Sequence, residues 1–317
     1  MAKDMTSGKP LKLIWNFTIP LLIGNLFQQL YNMADTFIVG RTIGVQALAA
    51  VGSTGSIVFL IIGFATGLTA GLAIPLAQRF GAKDYKGVKH SFYVSILISI
   101  AVAIVLTALS MIFCRQILEI MQTPSEIIDG AYDYLIVIFG GIFSSMAYNL
   151  LSNIFRSIGD AKTPLYFLVM ACVMNIILDI VFIAVFGMGV EGAGYATVLS
   201  QIFSAVACVV YIWKKIPVLR LTKEDLVATK RNIREHCRIS FPMAFQASII
   251  AIGTIMVQIA LNQLGPTSVA AHTAAQKIDQ LAILPMMSFG VTMATYSAQN
   301  YGAKKYDRIW LGVRECI

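Results

Sequence analysis

Residues 77–85 read AQRFGAKDY, and residues 298–306 read AQNYGAKKY, an offset of 221 residues. At the same offset GVQALAA (44–50) falls on GPTSVAA (265–271). With one residue of slippage IPLLIG (19–24) falls on FPMAFQ (241–246). Matching segments that recur in order mark an internal repeat. Each copy begins with a Pro-bearing apolar run, then a short loop, a second apolar run, the nonapeptide and a basic loop. The chain therefore reads as two similar halves.

Composition says what the halves are made of. Of 317 residues, 57% are hydrophobic and 13% charged, and the mean hydropathy is +0.76. A soluble domain would be about half apolar and about a quarter charged. Apolar runs of bilayer-spanning length recur near 13–39, 47–75, 91–113, 131–155, 164–186, 193–213, 240–263 and 277–298, and another opens at 309. This is an all-α polytopic membrane protein; the short alternating segments of a β-barrel are not seen. The first run lacks a small-residue cleavage site after a short apolar core, so it reads as a retained helix.

Charge supplies orientation. Twenty-one of the 24 Lys and Arg lie in the N-terminal tail and in the loops after runs 2, 4, 6 and 8. That alternation places the N-terminus in the cytoplasm. The net charge of +8 is thus a matter of topology, and a nucleic-acid partner is not expected. Six helices per half is an even number, so the halves are parallel repeats about an axis along the membrane normal. Transporters rock such bundles around a site near the midplane. The division expected is an N-lobe at 1–213, a basic linker at 214–239 and a partial C-lobe at 240–317. By the repeat, about four more spans, on the order of 120 residues, would follow Ile317, making this a truncated piece of a twelve-helix protein.

Polar residues inside apolar runs point to function. In NLFQQLYNMADTFIVGR (25–41), Asn25, Gln28, Asn32, Asp35 and Val39 share one helical stripe. Span 4 has a similar stripe with Ser145, Tyr148 or Asn149, Ser152 and Arg156. Span 5 carries Asn175 and Asp179 four residues apart, hence on one face, and span 6 offers Thr197, Ser200 or Gln201, and Ser204. Hydroxyls and amides of this kind commonly join helices to each other. An ionised acid in lipid is a different matter: it faces the bundle interior and takes a partner. No Lys or Arg lies on spans 1 or 5, so a proton or Na⁺ is the natural partner of Asp35 and Asp179. In span 8, Lys277 and Asp279 read as structural. The five cysteines (114, 172, 208, 237, 316) have no metal-ligand spacing, and no cofactor is expected.

The ordered set IPLLIGNLFQQLYNMADTFIVGRTIGVQALAAVGS (19–53), AQRFGAK (77–83), RSIGDAKTP (156–164), NIILD (175–179) and GVEGAGYATVLSQ (189–201) resembles the multidrug and toxic compound extrusion (MATE) transporters of the MOP flippase superfamily. The resemblance implies two six-helix lobes, the second incomplete here. It implies a secondary antiporter of the plasma membrane that exports organic cations or amphipathic drugs in exchange for H⁺ or Na⁺, and a monomer when full length. It also implies an N-lobe cation site at Asp35, Asn175, Asp179 and Thr197, with Tyr134 as the nearest match to a further tyrosine, and Na⁺ as one occupant of the same set. Asn25, Gln28, Asn32, Tyr148 and Asn149 are expected to line the cavity. Gln246 stands in span 7 where some relatives carry an acid, so a C-lobe site of that type is not expected. Two alternatives differ by feature. A lipid-linked glycan flippase of the superfamily would place Arg or Lys in its central cavity. An intramembrane aspartyl protease would use two Asp on two helices but needs a G-x-G-D motif, and Asp179 follows IIL.

Overall fold

A computed structural model of the chain describes residues 3–316 apart from Gln122, Leu264 and Gly265. For Thr36, Val45, Ile255, Gln258, Ile259, 261–263, 266–274, 276–278, 280 and 281 it describes the backbone alone. Lys277 thus has its side chain outside the described residues, while Asp279 is exposed. Among the described residues there is no strand. The helices are α1 (Pro10–Thr42), α2 (Val45–Gly81), α3 (Tyr85–Ile112), α4 (Cys114–Ile120), α5 (Ile128–Gly140) and α6 (Ile142–Ser157). They continue with α7 (Lys162–Asp179), α8 (Val190–Lys215), α9 (Lys230–Gln263), α10 (Pro266–Gly302) and α11 (Tyr306–Cys316). A π-helical stretch, Ile180–Val185, prolongs α7.

Helices α1, α2, α3, α8 and α7 with its π-helical extension are each long and apolar enough to cross a membrane. Helices α5 and α6 together make a sixth span, bent by 48°. At 34 and 37 residues, α9 and α10 each extend about 50 Å. The expected spans are all helical, but two boundaries move. The eighth run begins at Pro266 rather than near 277, because PTSVAAHTAAQ is too polar to register as an apolar run yet forms helix behind a proline suited to a helix start. The expected linker shortens, because α9 starts at Lys230, within it. Residues 217–225 hold two short 3₁₀ turns. The Asp225 carboxylate caps Thr222 and pairs with Lys89 at 3.1 Å, tying the linker to α3.

The bend in the fourth span has an identifiable cause. Gly140 and Gly141 break the helix, and a Cβ on Gly141 would overlap the Val198 side chain of α8. Helix α8 presses into the break, one residue from Thr197. Paired glycines are a common origin of sharp kinks.

Helix α2 is the centre of the bundle. Its Leu68, Leu72 and Leu76 recur every four residues and are all fully buried against α3, α5 and α6. On its other side α2 meets α9 with almost no side chain between them. A Cβ on Gly67 would lie 2.5 Å from the Met243 carbonyl oxygen, and one on Gly71 would overlap the Ser240 backbone. Small residues let helices approach this closely in lipid, where packing rather than hydrophobicity drives association. Across the repeat, Gly71 corresponds to Thr292 and Ser240 to Thr18. There the same crossing, between α10 and α1, is made by a hydroxyl pair at 2.8 Å.

Helices α2 and α10 end alike. Lys83 and Lys304 are, among the described residues, the only non-glycine residues at positive φ, 60° and 58°. The amides of Ala82 and Asp84 donate to the carbonyls of Gln78 and Arg79, and those of Ala303 and Lys305 to Gln299 and Asn300. Glycine is the usual residue at such a left-handed helix end, yet here it sits two residues earlier for another reason. A Cβ on Gly81 would overlap the Gln299 carbonyl, and one on Gly302 would overlap the Gln78 carbonyl. The offset of 221 exchanges these pairs, so the contact is reciprocal, as a two-fold contact must be. The internal repeat is therefore a spatial pseudo-two-fold.

A pair of substitutions separates crossing from helix propensity. Gly71→Ala is expected to destabilise the full-length protein by about 1–3 kcal/mol through overpacking. Gly55→Ala, with open space around it, is expected to be neutral or to stabilise by about 0.5–1 kcal/mol. Thermal unfolding of both variants in detergent checks the contrast.

Candidate functional site

Three helices of the first lobe bring the expected acids together. Asp35 lies in the last third of α1, Asp179 at the α-to-π transition of α7, and Thr197 in the second turn of α8. Each position has a local cause. Asp179 is followed by the π-helical stretch Ile180–Val185, a distortion often found at functional sites. Helix α8 starts after Gly189 and carries Gly192 and Gly194. A Cβ on Gly194 would come within 3.0 Å of Val137 on α5. That glycine lets α5 approach, with Tyr134, toward α8.

Hydrogen bonds give the geometry. With its amide assigned so that the oxygen does not face a carboxylate, Asn175 donates from nitrogen to Asp179 Oδ2 at 2.8 Å and accepts from the Thr197 backbone N–H at 3.2 Å. Tyr31 and Thr197 share a hydroxyl–hydroxyl bond of 3.1 Å. Asn175 and Asp179 are fully buried. Asp35 and Asp179 are within electrostatic reach of each other, and Tyr31 and Tyr134 of both. Each carboxylate keeps one buried oxygen, Oδ1, with no hydrogen-bond partner. Val39, Ile183 and Ala193 form a buried hydrophobic cluster, with Tyr134 packed on it. Among the described residues no Lys or Arg forms an ion pair with either acid. The set suits a small cation: two carboxylates and hydroxyl oxygens, with acceptor capacity to spare.

In that orientation Asn175 works as a donor that orients the Asp179 carboxylate. Tyr31 is a member the sequence reading missed. Its signal was present, since it lies four residues before Asp35 and so on the same helix face.

A family model described as MatE matches residues 20–181 and 242–317. The chain belongs to the MatE family. The Bacillus subtilis protein named "Probable multidrug resistance protein YpnP" is 30% identical over 314 residues, spanning 97% of this chain and 69% of that protein. A multidrug resistance MATE family transporter of the MOP superfamily, solved in an outward-facing conformation, superposes with a TM-score of 0.92 at 26% identity, over 98% of this chain and 69% of the other. A MOP superfamily transporter from Pyrococcus furiosus, described as having reverse polarity of its binding pocket, gives 0.91 at 27% identity, over 98% and 69%. The chain is thus a multi-pass membrane transporter for small substrates, not an enzyme.

In this MatE chain the residues expected to line the cavity lie on α1 and α6. Asn25 donates to Ser288 Oγ of α10 at 3.0 Å and so bridges the two lobes. Gln28 and Asn32 are exposed. Asn149 donates back to the Ser145 carbonyl of its own helix at 2.9 Å, and Tyr148 to the Pro164 carbonyl at 3.4 Å. Both lie on α6, beyond the bend that separates them from Tyr134 on α5. The stripe of Ser145, Tyr148 or Asn149, Ser152 and Arg156 lies wholly on α6, after the Gly140–Gly141 break.

Replacing Asn175 with Ala removes the donor to Asp179 Oδ2 and leaves a second buried oxygen unpaired. The expected loss is about 1–3 kcal/mol, read by thermal unfolding of the purified protein; Asn175→Asp should be worse, since it adds a third acid.

Proposed function

We propose that this MatE chain exports organic cations or amphipathic drugs from the cytoplasm by antiport. The coupling ion, H⁺ or Na⁺, is held at Asp35 and Asp179 with Thr197, Asn175 and Tyr134 around it. The observation that carries this reading is the pair of buried carboxylate oxygens that have no partner among the described residues. An uncompensated acid within a membrane span is expensive, and an exchangeable cation relieves that cost in one loading state and not in the other. Loading shifts the balance between conformations by no more than the cation's preference for one of them. The relatives named for multidrug resistance support the choice of cargo. In this proposal residues 1–213 form the ion-binding lobe, residues 240–317 belong to its partner lobe, and the protein works as a monomer in the plasma membrane. The segments rich in Lys and Arg gather at one end of the bundle, which we assign to the cytoplasm by the positive-inside rule.

One observation favours a second reading of the cargo. Arg156, whose buried Nε has no hydrogen-bond partner, lines a cavity of about 200 Å³ between the lobes, with Ala73, Ala294 and Thr295. A guanidinium there suits an anionic or zwitterionic amphiphile, and the Pyrococcus furiosus protein is described as having a binding pocket of reverse polarity and a different function.

Asp35→Asn and Asp179→Asn keep shape and remove charge. In everted vesicles carrying the full-length protein, each is expected to reach the membrane at wild-type levels and to lower gradient-driven uptake of a fluorescent organic cation at least tenfold. Wild-type pumping by both would remove the acids from the mechanism. Imposing a pH or a Na⁺ gradient alone identifies the ion.

A further inference from the structure

The two lobes meet at the basic end through more than the glycine crossing. The non-helical segment Lys3–Thr6, just before α1, runs across the seam. The Lys3 N–H donates to the Ile158 carbonyl of the α6–α7 loop at 2.9 Å, and a Cβ on Gly159 (φ +82°) would overlap the Lys3 carbonyl. On the other side, the Met5 N–H donates to Gln299 Oε1 at 2.9 Å. The Met5 carbonyl accepts from Asn300 Nδ2 at 3.2 Å, and the Thr6 carbonyl from Lys305 Nζ at 2.8 Å. The Met5 side chain is 1% exposed, packed with Ile14, Phe17, Ala161 and Tyr296. Gln299 completes the bridge, its Nε2 donating to the Ser157 carbonyl of the first lobe at 2.8 Å. A fully buried amide thus grips the strap with one end and the opposite lobe with the other.

The repeat supplies a counterpart of different chemistry. Asn300 corresponds to Arg79 at the offset of 221. Arg79 Nη2 pairs with Glu235 at 2.9 Å and donates to Asn232 at 3.3 Å, both on the opening turns of α9. Each lobe's second helix therefore ends in a side chain that seizes the start of the other lobe, the segment before α1 in one case and the opening turns of α9 in the other.

We propose that these are two latches that hold the transporter shut at the basic end: a hydrogen-bonded one, the strap Lys3–Thr6 on Gln299 and Asn300, and an ionic one, Arg79 on Glu235. The strap is tethered to the first lobe through α1, which begins at Pro10. Its bonds to α10 and to the turn after it must therefore break whenever the lobes part at this end. The strap cannot stretch to follow both sides, since its amides are committed within four residues. Cargo loading from the cytoplasm waits on its release. Gln299 is a positioning residue here, acting on the gate and not on the ion or the cargo.

The test reads gate opening directly, using the full-length protein. A single cysteine at Ala73 or Ala294, both lining the inter-lobe cavity, is placed in a background with all native cysteines replaced. Everted vesicles are treated with a membrane-impermeant maleimide, without cargo or gradient. Removing residues 3–6, or introducing Gln299→Ala, is expected to raise the labelling rate about tenfold, the size of effect that losing a few hydrogen bonds has on a two-state balance. Glu235→Gln is expected to raise it less, because its partner Asn232 stays on Arg79, and combining it with the strap deletion is expected to exceed either alone. Lys305→Ala, which removes only one strap bond, guards against misfolding of the larger changes, and about threefold is expected. Unchanged or slower labelling in the strap-deleted, Gln299→Ala and Lys305→Ala proteins, at normal expression and monodispersity, overturns the proposal. The readout needs no ion coupling, so it stands or falls separately from the role of Asp35 and Asp179.

Discussion

The packing of this protein rests on two helix ends crossing with only a glycine hydrogen between them. Gly81 lies against the Gln299 carbonyl and Gly302 against the Gln78 carbonyl. No side chain fits there, so the distance between the lobes at the basic end is set by backbone against backbone. The left-handed lysines that follow, Lys83 and Lys304, turn the chain away at once and leave the crossing uncovered for the strap. Everything nearby is arranged around that contact: the polar grip of Gln299, the Arg79–Glu235 pair, and the hydroxyl bond between Thr18 and Thr292.

Among the described residues, inter-lobe contacts include residues 3–6, Trp15 against Phe289, and Asn25 with Ser288. Farther along, Gly52 and Gly55 of α2 and Gly253 of α9 have nothing within 4 Å of a Cβ position. The two repeat-related crossings are not equal: α2 meets α9 through glycine, α10 meets α1 through hydroxyls. A backbone-tight contact and a hydrogen-bonded one resist shear differently, and the hydrogen-bonded one lies on α1, the helix that also carries Asp35.

The carboxylate cluster follows from helix distortions. A straight α7 would carry its 3.6-residue register past Asp179, and a straight α5–α6 would hold α8 away at Gly141. The π-helical stretch and the paired glycines instead let α8 close on α7 and place Thr197 beside Asn175. With the amide nitrogen of Asn175 turned to Asp179, one carboxylate oxygen is satisfied and the other is not. That half-satisfied state is what gives the proposed ion something to complete.

Much of this was legible in the residues alone. The offset of 221 between two nonapeptides dictated two parallel lobes, because a repeat of this length with an even helix count admits one orientation. Twenty-residue apolar runs dictated spans, because backbone polar groups in lipid must be satisfied within a helix. Asp35 and Asp179 stood out because a carboxylate in such a run needs a reason. What could not be read is where a helix stops being ideal. The bend at Gly141 is one such place: it sets Tyr134 on α5 apart from Tyr148 and Asn149 on α6, and nothing in the periodicity marks it. Asn25 shares the Asp35 stripe by its helical spacing, and nothing in that spacing points to Ser288, its partner 263 positions away. Gly81 and Gly302 looked like helix stops, whereas the steric demand that selects them comes from the other lobe. Sequence periodicity reports which face of a helix a residue occupies; only the tertiary packing decides what stands opposite it.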